Sequence, residues 1–416
     1  MNEVRNLLFG LEITREGSQL SYFDRKLKEP AAIPAKLGTN RAIFPTLLAK
    51  TEGKEEWSVG LQAEKNAGRS GQILFEDFYD LVRKADEVLV DGRSLDPSEL
   101  LAAFIRSALE LTGVADAPAN ISHITVTTDS LTPVFIANLK AAMTLLGLSS
   151  GRYTLQDHMT SFYYYVFSQK SEFRARKMAL FHFRGDQVTF SALDTDRVSR
   201  PVLVLPEKQE GIRLPSLGGE RDSAFYSYAR EHMEGRLFSS VFLTGEGFDK
   251  SWAEKWSIPY LCKGGRHVFA GKNLYVRGAC YASYDLAEAH TLKDVLFMGE
   301  DLVRTNVGMD LLVGGNPSYC SLVSAGQNWY EAGETLEIIP EEMDGLVFQV
   351  RSLDGKTRRK VKMELPGLPE RPKRMTRLRV EAFLSSPTHC HIRVTDLGFG
   401  QFAPASGYTC EDELIF

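Results

Sequence analysis

The sequence predicts an α/β body over residues 1–290, a linker over 291–300 and an all-β, sandwich-like domain over 301–416. Two observations carry this division. Up to about residue 290, short apolar strands alternate with segments whose apolar residues recur at helical spacing. Beyond residue 300 only short segments of alternating polarity remain, separated by turns such as Asp354-Gly355 and Pro366-Gly367-Leu368-Pro369.

The elements follow in order. Residues 7–13 and 18–23 read as paired strands around a polar turn. Asp96 caps a helix, with Pro97 at its first position and Glu99 close behind. Leu100, Leu101, Phe104, Ile105 and Ala108 give that helix its apolar face, and Gly113 ends it. A strand over 121–127 and a helix over 133–146, closed by Gly147, come next. Residues 178–183 and 187–193 form a hairpin turning at Gly185-Asp186. A helix over 223–233, a strand over 240–243 and a helix over 274–289 complete the body. In the second domain, strands are expected over 335–339, 346–351, 360–365, 377–383 and 389–395.

Composition narrows the class. With 43% hydrophobic and 25% charged residues the chain is ordinary globular protein, long enough for two or three domains. No apolar run approaches the length of a membrane span, and no cleavage-like site follows Leu7–Leu11, so a cytoplasmic location is expected. The five cysteines are far apart, odd in number and form no CxxC pair, which argues against a disulfide framework or a zinc site. His389 and His391 share one face of a strand with Cys390 opposite, but no third ligand is near in sequence, so no metal site is expected. The aromatic run Phe162–Phe167 reads as a helix buried inside the body.

Charge is distributed unevenly. The net charge is −5, yet residues 351–381 carry eleven Lys and Arg against four Asp and Glu, leaving −12 on the remainder. Lys356, Arg358, Lys360 and Lys362 fall on one face of a strand by period two, and Arg377 and Arg379 on one face of another. These six residues form the expected partner-binding face, whose occupant would be an acidic protein, the acidic body of the same chain or an anionic polymer. A protein or peptide partner is expected, and nucleic acid is not.

The order of these pieces resembles that of the DnaK-type heat-shock chaperones over nearly the whole chain. Phe9-Gly10-Leu11-Glu12 is similar to the family's first phosphate strand. Val59-Gly60 through Lys65-Asn66, followed by a helical segment over 75–83, resembles its next segment. Ile124–Thr127 with Gly147-Leu148, Val241–Gly245 before the adenosine loop, and Val276-Arg277-Gly278-Ala279 continue the likeness. Asp294-Val295-Leu296 resembles the interdomain linker. Residues 365–369, 377–383 and 393–398 resemble the peptide-binding β-domain. The resemblance implies an actin-like (ribonuclease H-like) two-lobed body. Lobe I would take residues 1–175 plus the helix 274–289, and a reduced lobe II residues 176–273. A β-domain without a helical lid follows.

The departures fall on the residues that would carry ATP chemistry. Phosphate binding in this superfamily needs glycine-rich hairpins whose N–H groups approach the phosphates, and carboxylates that position a hydrated cation. Here Thr14-Arg15-Glu16 stands in the first hairpin and Arg184-Gly185-Asp186-Gln187 in the second, each with an acid at its tip. Were the site active, the resemblance implies catalytic roles for Glu12, Lys65 and Asp157. Thr14, Gly185, Gly245 and Gly247 would be the nucleotide contacts. No cofactor is expected, ATP with Mg²⁺ being the group the resemblance would supply. The expectation is a degenerate member: a pseudo-ATPase acting as a non-catalytic protein-binding or scaffold module. The alternatives are a divergent ATP-dependent molecular chaperone and an actin-like structural or assembly protein.

Overall fold

The computed structural model describes residues 6–36, 38–39, 41–216, 218–341 and 345–416. The chain divides into two units, Met1–Met298 and Gly299–Phe416. Among the described residues, no helix is long and apolar enough to cross a membrane.

The first unit holds two sheets of the same plan. In one, β1 (Leu7–Ile13), β2 (Ser18–Asp24) and β3 (Glu29–Ala32) form an antiparallel meander. β4 (Ile121–Thr128) and β5 (Tyr153–Asp157) add to it in parallel, giving the order β5-β4-β1-β2-β3. In the other, β6 (Lys177–Arg184), β7 (Gln187–Asp196) and β8 (Val202–Arg213) repeat the meander. There β9 (Phe238–Glu246) and β10 (His267–Ala270) repeat the parallel additions, and β11 (Val295–Phe297) pairs beyond β8, giving β10-β9-β6-β7-β8-β11. Both first strands are buried along nearly their whole length, as the parallel side of a covered sheet requires.

Five main helices cover these sheets: α1 (Pro97–Glu110), α2 (Pro133–Leu145), α3 (His158–Phe167), α4 (Gly218–Met233) and α5 (Leu274–Tyr284). The start of α1 is fixed by a capping box. Asp96 accepts from Ser98 N at 2.8 Å, and Glu99 accepts from Asp96 N at 3.0 Å. α5 lies tight on β1 and α3 because two glycines permit it. A Cβ on Gly10 would stand 2.4 Å from Val276 O, and one on Gly278 would stand 2.0 Å from Ser161 O. A smaller sheet of Leu48–Thr51, Trp57–Val59 and Gln72–Phe75 and the hairpin Val88–Val90/Arg93–Leu95 lie between β3 and α1 in the chain.

The second unit has two four-stranded antiparallel sheets. β12 (Thr305–Val313), β13 (Asn316–Val323), β15 (Leu346–Ser352) and β16 (Arg358–Met363) form one, ordered β13-β12-β15-β16 once β14 (Thr335–Ile338) is set apart. β14, β17 (Leu378–Ser386), β18 (His389–Asp396) and β19 (Thr409–Ile415) form the other, in that order. β17 and β18 alternate strictly: Leu378, Val380, Ala382 and Leu384 are buried, as are Cys390, Ile392, Val394 and Asp396. Asp396 is buried because Arg371 grips both its oxygens at 2.8 and 2.7 Å, while Gly398 N and Ser406 N and Oγ donate to the same carboxylate.

Several expectations are corrected. The helix expected over 274–289 ends at Tyr284, and Asp285–Ala289 form a wider π turn. Asp285 Oδ1 accepts from Thr291 N at 2.7 Å and Thr291 Oγ1 at 2.6 Å, and His290 takes a left-handed conformation, so the backbone cannot continue. The linker expected over 291–300 is interrupted by β11, which hydrogen-bonds alongside β8. Its apolar residues find a partner there, with Phe297 stacked on Tyr163 at 5.1 Å. Of the helical segment over 75–83, only Phe78–Leu81 is α-helix.

Candidate functional site

The tips of the two matching hairpins, Thr14–Gly17 between β1 and β2 and Gly185-Asp186 between β6 and β7, line one cavity of about 450 Å³. Its floor is aromatic. The His158 ring, at the first position of α3, stacks on Tyr275 of α5 with centroids 3.8 Å apart and planes 7° from parallel. His182 of β6 stands edge-on to both, at 6.0 and 5.2 Å. Burial, then the neighbouring His158 and Arg184, depress the His182 pKa to about 3, so its ring is neutral. Burial, then Glu12, pushes the Tyr275 hydroxyl up.

Glu12 closes this floor and is itself buried. Its Oε1 lies 3.2 Å from His158 Nε2, off the line of a hydrogen bond, and its Oε2 accepts from Gln19 Nε2 at 3.1 Å. Gln19 also donates to the Lys272 carbonyl at 2.9 Å, tying the β1–β2 hairpin to the segment before α5. A second cavity of about 280 Å³ adjoins the first through His158, His182, Arg184, Gln187 and Tyr275. There Asp129 accepts from the Tyr79 hydroxyl and pairs with Arg184 at 3.2 Å. Burial acts to raise its pKa, but the Tyr79 hydrogen bond and nearby His158, Arg184 and Arg83 outweigh it and hold the carboxyl low.

The residues expected at an ATP site are placed otherwise. Glu12 is in the first cavity. Asp157 lines the second, but its Oδ1 caps α3, accepting from Thr160 N at 2.7 Å and Thr160 Oγ1 at 2.6 Å. Lys65 is exposed on the short helix Gly60–Asn66 and lines neither cavity, so the three residues named as catalytic were the site active are not brought together. Thr14 spends its hydroxyl on the Gly17 carbonyl at 2.7 Å and its N–H on the same oxygen at 3.2 Å. Gly185 N donates to the Glu246 carbonyl at 2.7 Å. Gly245 and Gly247 serve close backbone approach: a Cβ would meet Phe183 O at 2.1 Å and Gly185 O at 2.0 Å respectively. Arg221 clamps the two loops by donating to the carbonyls of Gly185 and Gly247 at 2.7 and 3.2 Å.

ATP with Mg²⁺ does not fit these residues. Four carboxylates, Glu12, Glu16, Asp186 and Glu246, line the cavity. Its cations are already engaged: Arg184 with Asp129 at 3.2 Å and Glu16 at 3.8 Å, and Lys272 with Glu246 at 2.6 Å. Asp186 is matched by Arg213 at 2.8 Å. A polyphosphate would bring several further negative charges beside these four carboxylates, where among the described residues Arg184 and Lys272, the cations lining the cavity, are already paired. What remains is a buried carboxylate, Glu12, 3.2 Å from the ring of His158, which itself stacks on Tyr275.

The basic residues of the second unit are also redistributed. Arg358, Lys360 and Lys362 are exposed on β16, an edge strand, where cations discourage pairing with another chain. Lys356 lies in the preceding turn beside Asp354 at 3.3 Å, and Lys362 lies 3.4 Å from Glu364. Arg379 belongs to the other sheet and Arg377 immediately precedes its strand β17; both flank Glu337, at 3.2 and 3.8 Å. The six do not share one sheet face, and local acids offset part of their charge, because a strand's period fixes a side but not which sheet it joins. The residues that sequence reasoning missed as a cluster are His158, His182, Tyr275 and Gln19. A usable signal existed: His158 and Ser161 on α3, and Tyr275 and Gly278 on α5, are each three apart and therefore share a face.

No curated protein matches the chain. Residues 302–416 match a domain of unknown function (DUF8552). Residues 29–300, more than half of the chain, match the C-terminal part of a family of unknown function (DUF5716), and the chain belongs to that family.

Proposed function

We propose that this protein is a degenerate relative of the DnaK-type chaperones. On this reading it has an actin-like body without ATP chemistry and acts as a non-catalytic protein-binding or scaffold module. The observation that carries the reading is the internal charge pairing of the hairpin cleft: Arg184, Lys272 and Arg213 are matched by acids in the places where the superfamily holds phosphates. The repeated strand order of the two body sheets supports the actin-like assignment. The antiparallel sheets of the second unit, with β13 and β16 as the edges of one and β14 and β19 as the edges of the other, supply the kind of surface on which an extended peptide adds as a strand.

Titration of the full chain with ATP and Mg²⁺, read by calorimetry and by phosphate release, tests this. No saturable heat and no release above background are expected. Turnover abolished by Asp157→Asn would overturn the reading in favour of a divergent ATPase. Concentration-dependent assembly in sedimentation would instead favour an actin-like structural protein.

A further inference from the structure

Away from the cleft, a recess of about 600 Å³ gathers Arg174, Arg197 and Arg200. Arg174 ends a 3-10 turn after α3, and the other two lie in the loop between β7 and β8. Their backbones are interlocked. Arg197 donates to the Arg174 carbonyl at 2.6 Å, and Arg200 to the carbonyls of Arg197 and Ser199 at 2.8 and 2.9 Å. Among the described residues none of the three pairs with a carboxylate, whereas Arg213, Arg230 and Arg236 nearby in the chain all do. Two polar atoms at the recess, Arg174 Nε and Thr195 Oγ1, are buried without a hydrogen-bond partner. Such atoms are costly unless something binds them.

The rest of the recess defines the other half of a ligand. Phe167, with Arg174 stacked 4.9 Å over its ring, and the paired Val202 and Val295 give it an apolar wall. Glu172 is the one acid that lines it, so three guanidinium groups and one carboxylate leave two positive charges. We propose that this recess binds a phosphate monoester whose organic part is small and apolar. A phosphate dianion balances both charges and offers enough oxygens for several guanidinium forks; a carboxylate would balance one. The site is separate from the hairpin cleft, and its existence does not depend on the function assigned above.

The test is calorimetric titration of the full chain at low salt with phenyl phosphate, inorganic phosphate and benzoate. Phenyl phosphate is expected to bind saturably and about tenfold more tightly than either comparison molecule, which each lack one half of the recognition. Arg197→Ala and Arg200→Ala, both at exposed positions, should each weaken it about tenfold while the chain still unfolds cooperatively, with circular dichroism unchanged at the titration temperature. Arg174→Lys, which keeps charge but removes the guanidinium fork, should weaken it as well, while Arg230→Ala, at an arginine of α4 that pairs with Glu234 and does not line the recess, should not. Absence of saturation, equal affinity for benzoate, or an equal loss in Arg230→Ala would overturn the proposal.

Discussion

Lowering the pH from 7.5 to 5.5 is expected to destabilise the N-terminal unit through two buried histidines. His182 is held at a pKa of about 3 by burial, then by His158 and Arg184, with Asp129 opposing. His123 is held at about 4 by burial, its Nε2 lying 2.9 Å from Thr154 Oγ1. In the unfolded chain both return to roughly 6.5. Because the folded values are depressed, the unfolded state binds protons first. Stability is intact above about pH 6.5 and is lost as the pH falls toward the folded values. At pH 5.5 each imidazole costs about 1.4 kcal/mol, so the pair removes about 3 kcal/mol from a total that for a typical domain is about 5–15 kcal/mol. The carboxyls of Asp129 and Asp396 are held low and stay ionised in this window, so they do not mask the effect. Urea unfolding followed by tryptophan fluorescence at the two pH values measures it. His123→Gln and His182→Gln should each flatten the pH dependence by about half, and the double variant should nearly abolish it. A double variant with the wild-type pH dependence would refute the assignment of neutral, buried rings.

The remaining predictions concern packing, capping and the cleft. Gly278→Ala drives a Cβ toward Ser161 O, 2.0 Å away, and should cost about 1–3 kcal/mol or more as α3 and α5 separate; an unchanged melting temperature would contradict that contact. Arg371→Met strands the fully buried Asp396 carboxylate and should destabilise the C-terminal unit by about 3–5 kcal/mol in urea, leaving the N-terminal unit unaffected. Asp96→Ala removes one half of the α1 capping box and should cost about 1 kcal/mol by the same measurement. No phosphate release from ATP is expected of the full chain.

What was legible in the sequence was mostly local. α1 announces itself through Asp96, Pro97 and Glu99, and the structure uses all three at its first turn. The β6–β7 hairpin was readable because Phe181, Phe183, Val188 and Phe190 alternate about a Gly185-Asp186 turn, and the pairing Arg184↔Gln187 places the turn there. β8 was not readable. Its Glu207-Lys208-Gln209-Glu210 run has the composition of a loop, and it is a strand because β7 offers it an edge. β11 was read as linker for a related reason: three apolar residues after a helix say nothing about which open edge will take them.

The site divides along the same line, and the glycines show why. The resemblance offers Gly185, Gly245 and Gly247 as nucleotide contacts were the site active, since a loop glycine lets something come close to the backbone. The structure shows close approach at two of these glycines and identifies what approaches. At Gly245 and Gly247 the neighbour is the carbonyl of Phe183 or Gly185, and Gly185 N is committed to Glu246. A sequence records the missing side chain but not the identity of the atoms that fill the space, since those come from strands brought alongside by folding. The same holds for Glu12, whose position on β1 was legible while its partner His158 was not. The helix carrying that histidine is positioned by Gly278 on α5, far along the chain from both. The chemistry of a cleft built from two repeated sheets is therefore set by contacts across the repeat, and in this chain Arg184, Lys272 and Asp186 each meet an opposite charge of the same unit.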